Sequence, residues 1–399
     1  MHEYNREYVF KPFKVTEVKF RGRTCPRPRS GHRIVCDDVN VYLFGGYNPS
    51  LPFNVELESP TWSPSSPLFK ELWTFSIARK RWRLHNLMEN IPDELASNAL
   101  CMNGKYLLVY GGTGAPFGNK CNNDVLVWRT NSTEERIEPI HVTGPRPPAQ
   151  YGQAVFCYDG GFYTVGGTNG YSYNCDIYRL DLRTKMWGAE FIATGQDGEP
   201  LGRYRHELAR VDDKLFVLGG GTGEWAFELM EIPMFNLTTK TWTTLIPKPD
   251  DSARDIIMPL PRKCHSAVQI STPNGPQVYV AGGTDGQAVF EDVWRLNLAD
   301  LQWTLMKKTV LPRPLYFHSS AVTPEGCMYV FGGIEPRDDA TCRNNILYKV
   351  WLCIPSLTEI CWEALLNYHP NLEGLSRQRL LAIGIPSHLV NRLHPIARY

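Results

Sequence analysis

Six times along the chain a short apolar run ends in a pair of glycines. The runs are VYLFGG at Gly46, LLVYGG at Gly112, FYTVGG at Gly167, LFVLGG at Gly220, VYVAGG at Gly283 and MYVFGG at Gly333. Successive second glycines are 66, 55, 53, 63 and 50 residues apart. A repeat of this length constrains the fold strongly, because each unit must bury its apolar faces against its neighbours. A further strand-like run follows each pair: ELWTFSI, DVLVWR, CDIYRL, MEIPMFNL, DVWRLNL and ILYKVWL. A tryptophan comes 20 to 22 residues after the second glycine at Trp187, Trp242 and Trp303. In the first unit Trp82 comes 36 residues after it, beyond a Pro/Ser-rich insertion at 49–67 whose composition suggests a flexible loop. The second unit has RIEPIHV in that place. Another run precedes each Gly-Gly strand, and three of these open with Arg-x-x-His, at Arg29–His32, Arg203–His206 and Arg262–His265; the sixth keeps only His318.

Four runs per unit predict a four-stranded antiparallel meander, and six meanders predict an all-β, six-bladed β-propeller. Paired glycines let the chain leave an inner strand with positive φ and close backbone approach. The outer-strand tryptophan is expected to fill the wedge between neighbouring blades. Over roughly residues 15–352 the pattern resembles kelch repeats.

Counting strands leaves a gap. The sixth unit supplies HSSAVTP, CMYVFGG and ILYKVWL and then runs into a segment with helical spacing. At the other end, VTEVKFRG (15–22) alternates like a strand and belongs to no unit. It is expected to complete the sixth blade, which closes the ring and removes an open edge. The plan is an N-terminal extension (1–14), the propeller (15–353) and a helical tail (354–399).

Charge is balanced, at 42 basic against 41 acidic residues. That argues against nucleic acid or an anionic membrane as the main partner. There is no run of 18 apolar residues, hence no transmembrane helix, and MHEYNREYVFKPFK does not read as a secretory signal. The 11 cysteines include no C-x-x-C and suggest a reducing compartment, cytoplasmic or nuclear.

The tail begins PSLTEICWEALLNYHP. Leu357, Ile360, Cys361, Ala364 and Leu365 form an amphipathic stripe, with Ser356 as N-cap and Glu359 completing a capping box. Ser376 caps a second helix, RQRLLAI, and Pro386 starts a third, PSHLVNRL. Three such short helices are expected to bury little against one another, leaving an apolar face for partners. The spacing of Leu357, Cys361 and Leu365 matches an elongin-binding BC box. Ile385, Pro386, Leu389 and Leu393 resemble the cullin box of receptors that use cullin-2, without the Leu-Pro-apolar-Pro of boxes that select cullin-5.

Propeller and boxes together are similar to the kelch-type substrate receptors of cullin-2 ubiquitin ligases. The resemblance implies a non-catalytic adaptor with no cofactor. Its partners would be elongin B, elongin C, and cullin-2 with its RING protein, and its substrates proteins whose C-termini end in Gly or other small residues.

Topology places the loops before Arg-x-x-His and after Gly-Gly at one mouth of the channel. A terminal carboxylate there needs arginine or clustered donors. Arg29, Arg203, Arg205 and Arg262 are the candidates. Arg203 and Arg205, two apart on one expected strand, should face the same way. Tyr47, Asn48, Tyr171, Tyr173 and Trp225 could wall a narrow slot. Against a binding role, recurrence of Arg-x-x-His also suits a structural role in satisfying backbone carbonyls. This chain has no Arg directly after any Gly-Gly pair, where its relatives carry one. A copper or lyase enzyme on the same scaffold would need converging ligands, whereas His32, His206, His265 and His318 hold repeat-equivalent, structural positions. A kelch scaffold or cytoskeletal binder would leave the two tail boxes unexplained.

Overall fold

The computed structural model describes residues 7–50, 62–87, 91–130, 132, 136–252, 254–337 and 340–395. Most of the 49–67 insertion lies outside them. Six four-stranded antiparallel sheets form the blades of a propeller, covering 33–85, 99–139, 154–191, 207–245, 266–305 and 319–351, the last completed from the N-terminus. Thr16 and Glu17 pair antiparallel with Lys349 and Tyr348 as the outermost strand of the sixth blade. The ladder extends through Phe13 N–H to Trp351 O at 2.9 Å and Val18 N–H to Leu347 O at 2.8 Å. A hairpin, Ile334–Arg337 with Ala340–Arg343, rises from the loop after the sixth Gly-Gly.

The glycine pairs join each blade to the next. Both members of each pair have positive φ, for example +68° at Gly45 and +111° at Gly46. The second glycine donates its N–H to a carbonyl in the loop four residues before the first strand of the following blade. These bonds run from Gly46 to Leu95 (3.1 Å), Gly112 to Gln150 (3.0 Å), Gly167 to Arg203 (2.9 Å), Gly220 to Arg262 (2.9 Å), Gly283 to Leu315 (2.8 Å) and Gly333 to Arg29 (2.9 Å). A Cβ on Gly45 would meet Leu95 O at 2.7 Å, so a side chain there would push the next blade away.

Each outer-strand tryptophan packs against the preceding blade. Trp82 lies 5.3 Å from Phe331, Trp187 5.8 Å from Tyr110 and Trp242 5.7 Å from Phe191, while Trp303 Nε1 donates to Leu229 O at 3.2 Å. Ile137, buried in the cluster between the first two blades, stands where the second blade has no tryptophan. The wedges are therefore filled by apolar area from both sides, the main stabilising term between blades.

The tail forms helices α1 (Leu357–Tyr368), α2 (Arg377–Ala382) and α3 (Ser387–Leu393), with a 3₁₀ turn at Pro370–Gly374. Contrary to expectation, these short helices build their own core. Trp362, Leu372, Leu380, Ile385, Leu389, Val390 and Leu393 cluster with Ala78 of the propeller. The capping box is half formed. Ser356 Oγ accepts from Glu359 N–H at 3.4 Å, but the Glu359 carboxylate turns away and takes Arg392 Nη1 at 2.7 Å. Arg392 also faces Glu325 at 3.4 Å and Asp38 at 3.6 Å, in turns between the first two strands of the sixth and first blades. Lys349 pairs with Glu363 at 2.5 Å, and Tyr8 donates to the same carboxylate at 2.9 Å. These turns lie on the face opposite the Gly-Gly loops, so the tail and the candidate mouth occupy opposite ends of the ring.

Candidate functional site at the propeller mouth

Arg29, Arg203 and Arg262 share one arrangement. Each donates through Nε to the carbonyl two residues back, at Arg27, Leu201 and Leu260, and through Nη1 to the first glycine of its own blade's pair, at Gly45, Gly219 and Gly282. Each guanidinium carbon sits over a phenylalanine: Phe69 at 3.9 Å, Phe227 at 4.2 Å and Phe290 at 4.5 Å. Arg29 is neutralised by Glu71 at 2.6 Å, and Arg262 holds both carboxylate oxygens of Asp292, at 2.7 and 3.0 Å. In the fourth blade Leu229 stands two residues after the phenylalanine, where the other two have the acid. Among the described residues Arg203 therefore has no carboxylate partner, and burial brings its guanidinium down to about 10.

Arg203 and Arg205 do not face the same way. The fourth blade's first strand begins only at Glu207, and Arg205 has φ +54°. It belongs to a feature that the sequence marks only as the position before His32, His206, His265 and His318. Gly31, Ser97, Gly152, Arg205, Cys264 and Phe317 all stand in the left-handed region, one per blade. Each N–H donates to the carbonyl of its equivalent in the blade before: Ser97 to Gly31 (2.8 Å), Gly152 to Ser97 (2.8 Å), Arg205 to Gly152 (2.7 Å), Cys264 to Arg205 (3.1 Å), Phe317 to Cys264 (2.9 Å) and Gly31 to Phe317 (3.2 Å). The result is a closed circle of six backbone hydrogen bonds around the channel. Four of its members are not glycine, and each left-handed non-glycine costs about 1 kcal/mol, held in place by the circle.

The Arg205 side chain donates to Ser97 Oγ across the mouth and lies 4.8 Å from the Phe317 ring centre. It is 3% exposed, its Nε has no partner, and no described carboxylate pairs with it. Burial, with Arg33 nearby, lowers this guanidinium to about 10.

Arg343, in the sixth-blade hairpin, reaches the same place from above. Its Nε donates to Ser30 Oγ at 2.9 Å and its guanidinium lies 5.2 Å from the Tyr47 ring centre. Arg205 Nη2 lies 3.3 Å from where a Cβ on Gly31 would stand, so the two guanidinium groups address adjacent residues of the first blade. Arg343 follows its Gly-Gly pair by ten residues, outside the repeat-equivalent loop positions, so the repeat gives no signal for it.

Aromatic rings surround these cations. Tyr204 meets Tyr151 at 6.3 Å and Tyr173 at 5.4 Å, Tyr316 meets Phe317 at 5.5 Å, and Tyr47 meets Phe117 at 4.8 Å. Tyr171 and Trp225 stand at loop tips, 84% and 68% exposed. Asn48 is buried and donates to Pro28 O at 2.7 Å, a structural tie. Lys263 is capped by Thr222 O at 2.7 Å and Gly223 O at 3.0 Å. Together these residues set aromatic rings around two mouth arginines, and among the described residues the buried charge of Arg205 has no carboxylate partner.

The histidines link blades. His32 Nε2 lies 3.1 Å from Phe331 O of the sixth blade, and Gln153, the third blade's counterpart, donates to Tyr110 O of the second at 3.0 Å. Among the described residues no group of three or more His, Cys, Asp and Glu is arranged to hold a metal ion. No helix of the described residues is long and apolar enough to cross a membrane.

At the far face, Leu357 is 74% exposed and Cys361 is exposed, while Leu365 packs partly against the tail core. Of the four residues resembling a cullin box, Pro386 is exposed, whereas Ile385, Leu389 and Leu393 are buried in that core.

Comparison with known proteins agrees with this architecture. The family described as the KLHDC2/KLHL20/DRC7 Kelch-repeats domain matches residues 60–271. Kelch domain-containing protein 10 homolog of Drosophila melanogaster is 40% identical over 98% of this chain and 66% of its own length. Kelch domain-containing protein 10 of Mus musculus is 41% identical, over 94% of this chain and 82% of its own. Kelch domain-containing protein 2 of Bos taurus is more distant, at 25% identity over 81% of this chain and 78% of its own. With six Gly-Gly blades, an N-terminal closing strand and a helical tail aligned over nearly its full length, the chain belongs to the kelch domain-containing protein 10 family.

Proposed function

We propose that this chain is the substrate-recognition subunit of a cullin-2 RING ubiquitin ligase, a non-catalytic adaptor in protein quality control. The propeller mouth takes protein C-termini with small or Gly-type ends. The tail binds elongin B and elongin C through Leu357, Cys361 and Leu365, and cullin-2 with its RING protein through the α3 corner. The observation that carries the reading is the pair of mouth arginines: Arg205 is buried without a described carboxylate, and Arg343 beside it donates to Ser30 Oγ. A charge left uncompensated in this way is costly unless an anionic ligand completes it. A chain-terminal carboxylate is a small anion that arginine binds through paired, charge-assisted hydrogen bonds, and it suits arginines placed at the mouth. Arg203 supports the mouth from below, while Arg29 and Arg262, already neutralised, hold the blades. Tyr47 walls the mouth, and Tyr171 and Trp225 meet the substrate further from its end.

The tail fits the second half of the proposal. Helix α1 anchors through Glu359 and Trp362 and turns Leu357 and Cys361 outward. Pro386 offers direct contact, and Ile385, Leu389 and Leu393 shape the cullin-facing corner from inside. The test pairs two measurements on the full chain. A C-terminal peptide library should bind with a free carboxylate and lose at least tenfold when amidated. Leu357→Ala with Cys361→Asp should abolish binding to purified elongin B/C without shifting the melt. Equal binding of amidated peptides sinks the substrate reading. Wild-type protein that ignores elongin B/C favours the alternative, a kelch scaffold or cytoskeletal interaction protein without a ligase role.

A further inference from the structure

Cys101 stands on the innermost strand of the second blade, Ala99–Asn103, and Cys157 on that of the third, Ala154–Tyr158. Their sulfur atoms are 3.4 Å apart. Among the described residues no other two cysteines approach so closely. Both thiols lie at the blade interface packed by Leu108, Phe162 and Trp187, and both keep partial exposure. Neither is part of the mouth or of the tail.

We propose that Cys101 and Cys157 form a site of reversible oxidation, at which a hydroperoxide closes a disulfide between the second and third blades. A disulfide needs sulfurs at about 2.05 Å. From 3.4 Å that distance is reached by small χ1 rotations of two unbranched side chains, with the strands already held by their own ladders.

The hydrogen bond between the thiols sets the order of events. The contact between the two thiols lowers the Cys157 thiol below the ordinary range and raises Cys101 above it. Cys157 is thus the first thiolate. Its sulfur attacks the peroxide O–O bond, taking one oxygen as sulfenic acid and releasing the other as an alcohol, or as water when the oxidant is hydrogen peroxide. Cys101 sulfur then attacks the Cys157 sulfur. The S–O bond breaks, the Cys101 proton leaves with the hydroxide as a second water, and the S–S bond forms. Two thiols have given up two electrons and the peroxide has accepted them.

The position gives the bond a consequence. Cys101 lies four residues beyond Ser97 and Cys157 five beyond Gly152, both members of the hydrogen-bonded circle. Ser97 is also the acceptor for Arg205. A covalent tie here joins the innermost strands of the second and third blades near their turns, on strands that lead up to the circle.

The experiment uses the reduced full chain, treated with hydrogen peroxide near neutral pH, blocked with an alkylating agent and digested without reduction. Mass spectrometry should find the Cys101 and Cys157 peptides joined, with two thiols lost to alkylation. The melting temperature should rise by several degrees and return on adding dithiothreitol. In Cys101→Ser, dimedone should capture Cys157 as the sulfenic acid, and in Cys157→Ser, Cys101 should remain alkylatable. The proposal is overturned if both thiols stay alkylatable in wild type after the exposed Cys361 has been oxidised. It is equally overturned if either is found joined to a third cysteine instead.

Discussion

Arg33 on the first blade and Glu207 on the fourth meet across the channel, guanidinium to carboxylate at 2.6 Å. These blades are opposite in a ring of six, so the pair is a strut spanning the axis just below the hydrogen-bonded circle. It lies between the exposed and fully buried cases, with side-chain exposures of 11% and 16%. A double-mutant cycle with Arg33→Ala and Glu207→Ala should therefore return a coupling of about 2 kcal/mol, between surface and buried pairs. Urea unfolding of the four proteins measures it, and a coupling near zero would mean that the strut is incidental.

Arg29 and Arg205 should separate stability from binding. Arg29→Ala takes the cation at 2.6 Å from the buried Glu71 carboxylate and should cost about 3–5 kcal/mol. Arg205→Ala removes a buried cation without a described carboxylate, so the fold should hold while affinity for a peptide with a free C-terminus falls about tenfold or more. Chemical denaturation and calorimetric titration decide this; a large stability loss with unchanged affinity would reassign Arg205 to the scaffold.

Acid should unfold the ring through its histidines. Burial keeps His32 and His265 well below the usual range and brings His206 to about 3 and His318 to about 4. The unfolded chain takes up these protons near pH 6.5, and the folded chain does so only at much lower pH. Stability from this source is complete above about pH 6.5 and falls as pH drops towards the folded values, by about 1.4 kcal/mol per unit for each histidine. His206→Gln, copying the third blade's Gln153, should flatten the slope of urea midpoint against pH. A slope that does not change would point to carboxylates instead.

Deleting residues 1–24 should open the sixth blade. The truncation removes the ladder to Lys349 and Tyr348 and the buried side chains of Val15 and Val18, a loss of about 4 kcal/mol from the two valines alone. Thermal melts of the truncated and full chains provide the check, and coincident curves would show that the ring closes without this strand.

Much of the architecture was legible because the residues that build it carry chemical marks. Paired glycines are demanded by the carbonyl of the next blade, and tryptophans by the wedge they fill. The unclaimed alternation at 15–22 announced the closing strand. The tail was legible as three helices, but not their packing: Trp362 and Val390 become core only when α1 and α3 meet over Ala78. The mouth was read less well. Arg203 and Arg205 looked alike two residues apart, and the left-handed backbone at Arg205 sent them to different partners. Arg343 entered the site from a hairpin whose reach no spacing encodes.

The sequence by itself determined six Gly-Gly blades, a ring closed by its N-terminus and a tail of amphipathic helices, since each depends on side-chain size or periodicity. The tertiary structure alone decided that Gly31, Ser97, Gly152, Arg205, Cys264 and Phe317 take left-handed backbone and bond to one another. They share no side-chain chemistry because their common task is performed by the backbone: one N–H and one carbonyl each, passed around a circle.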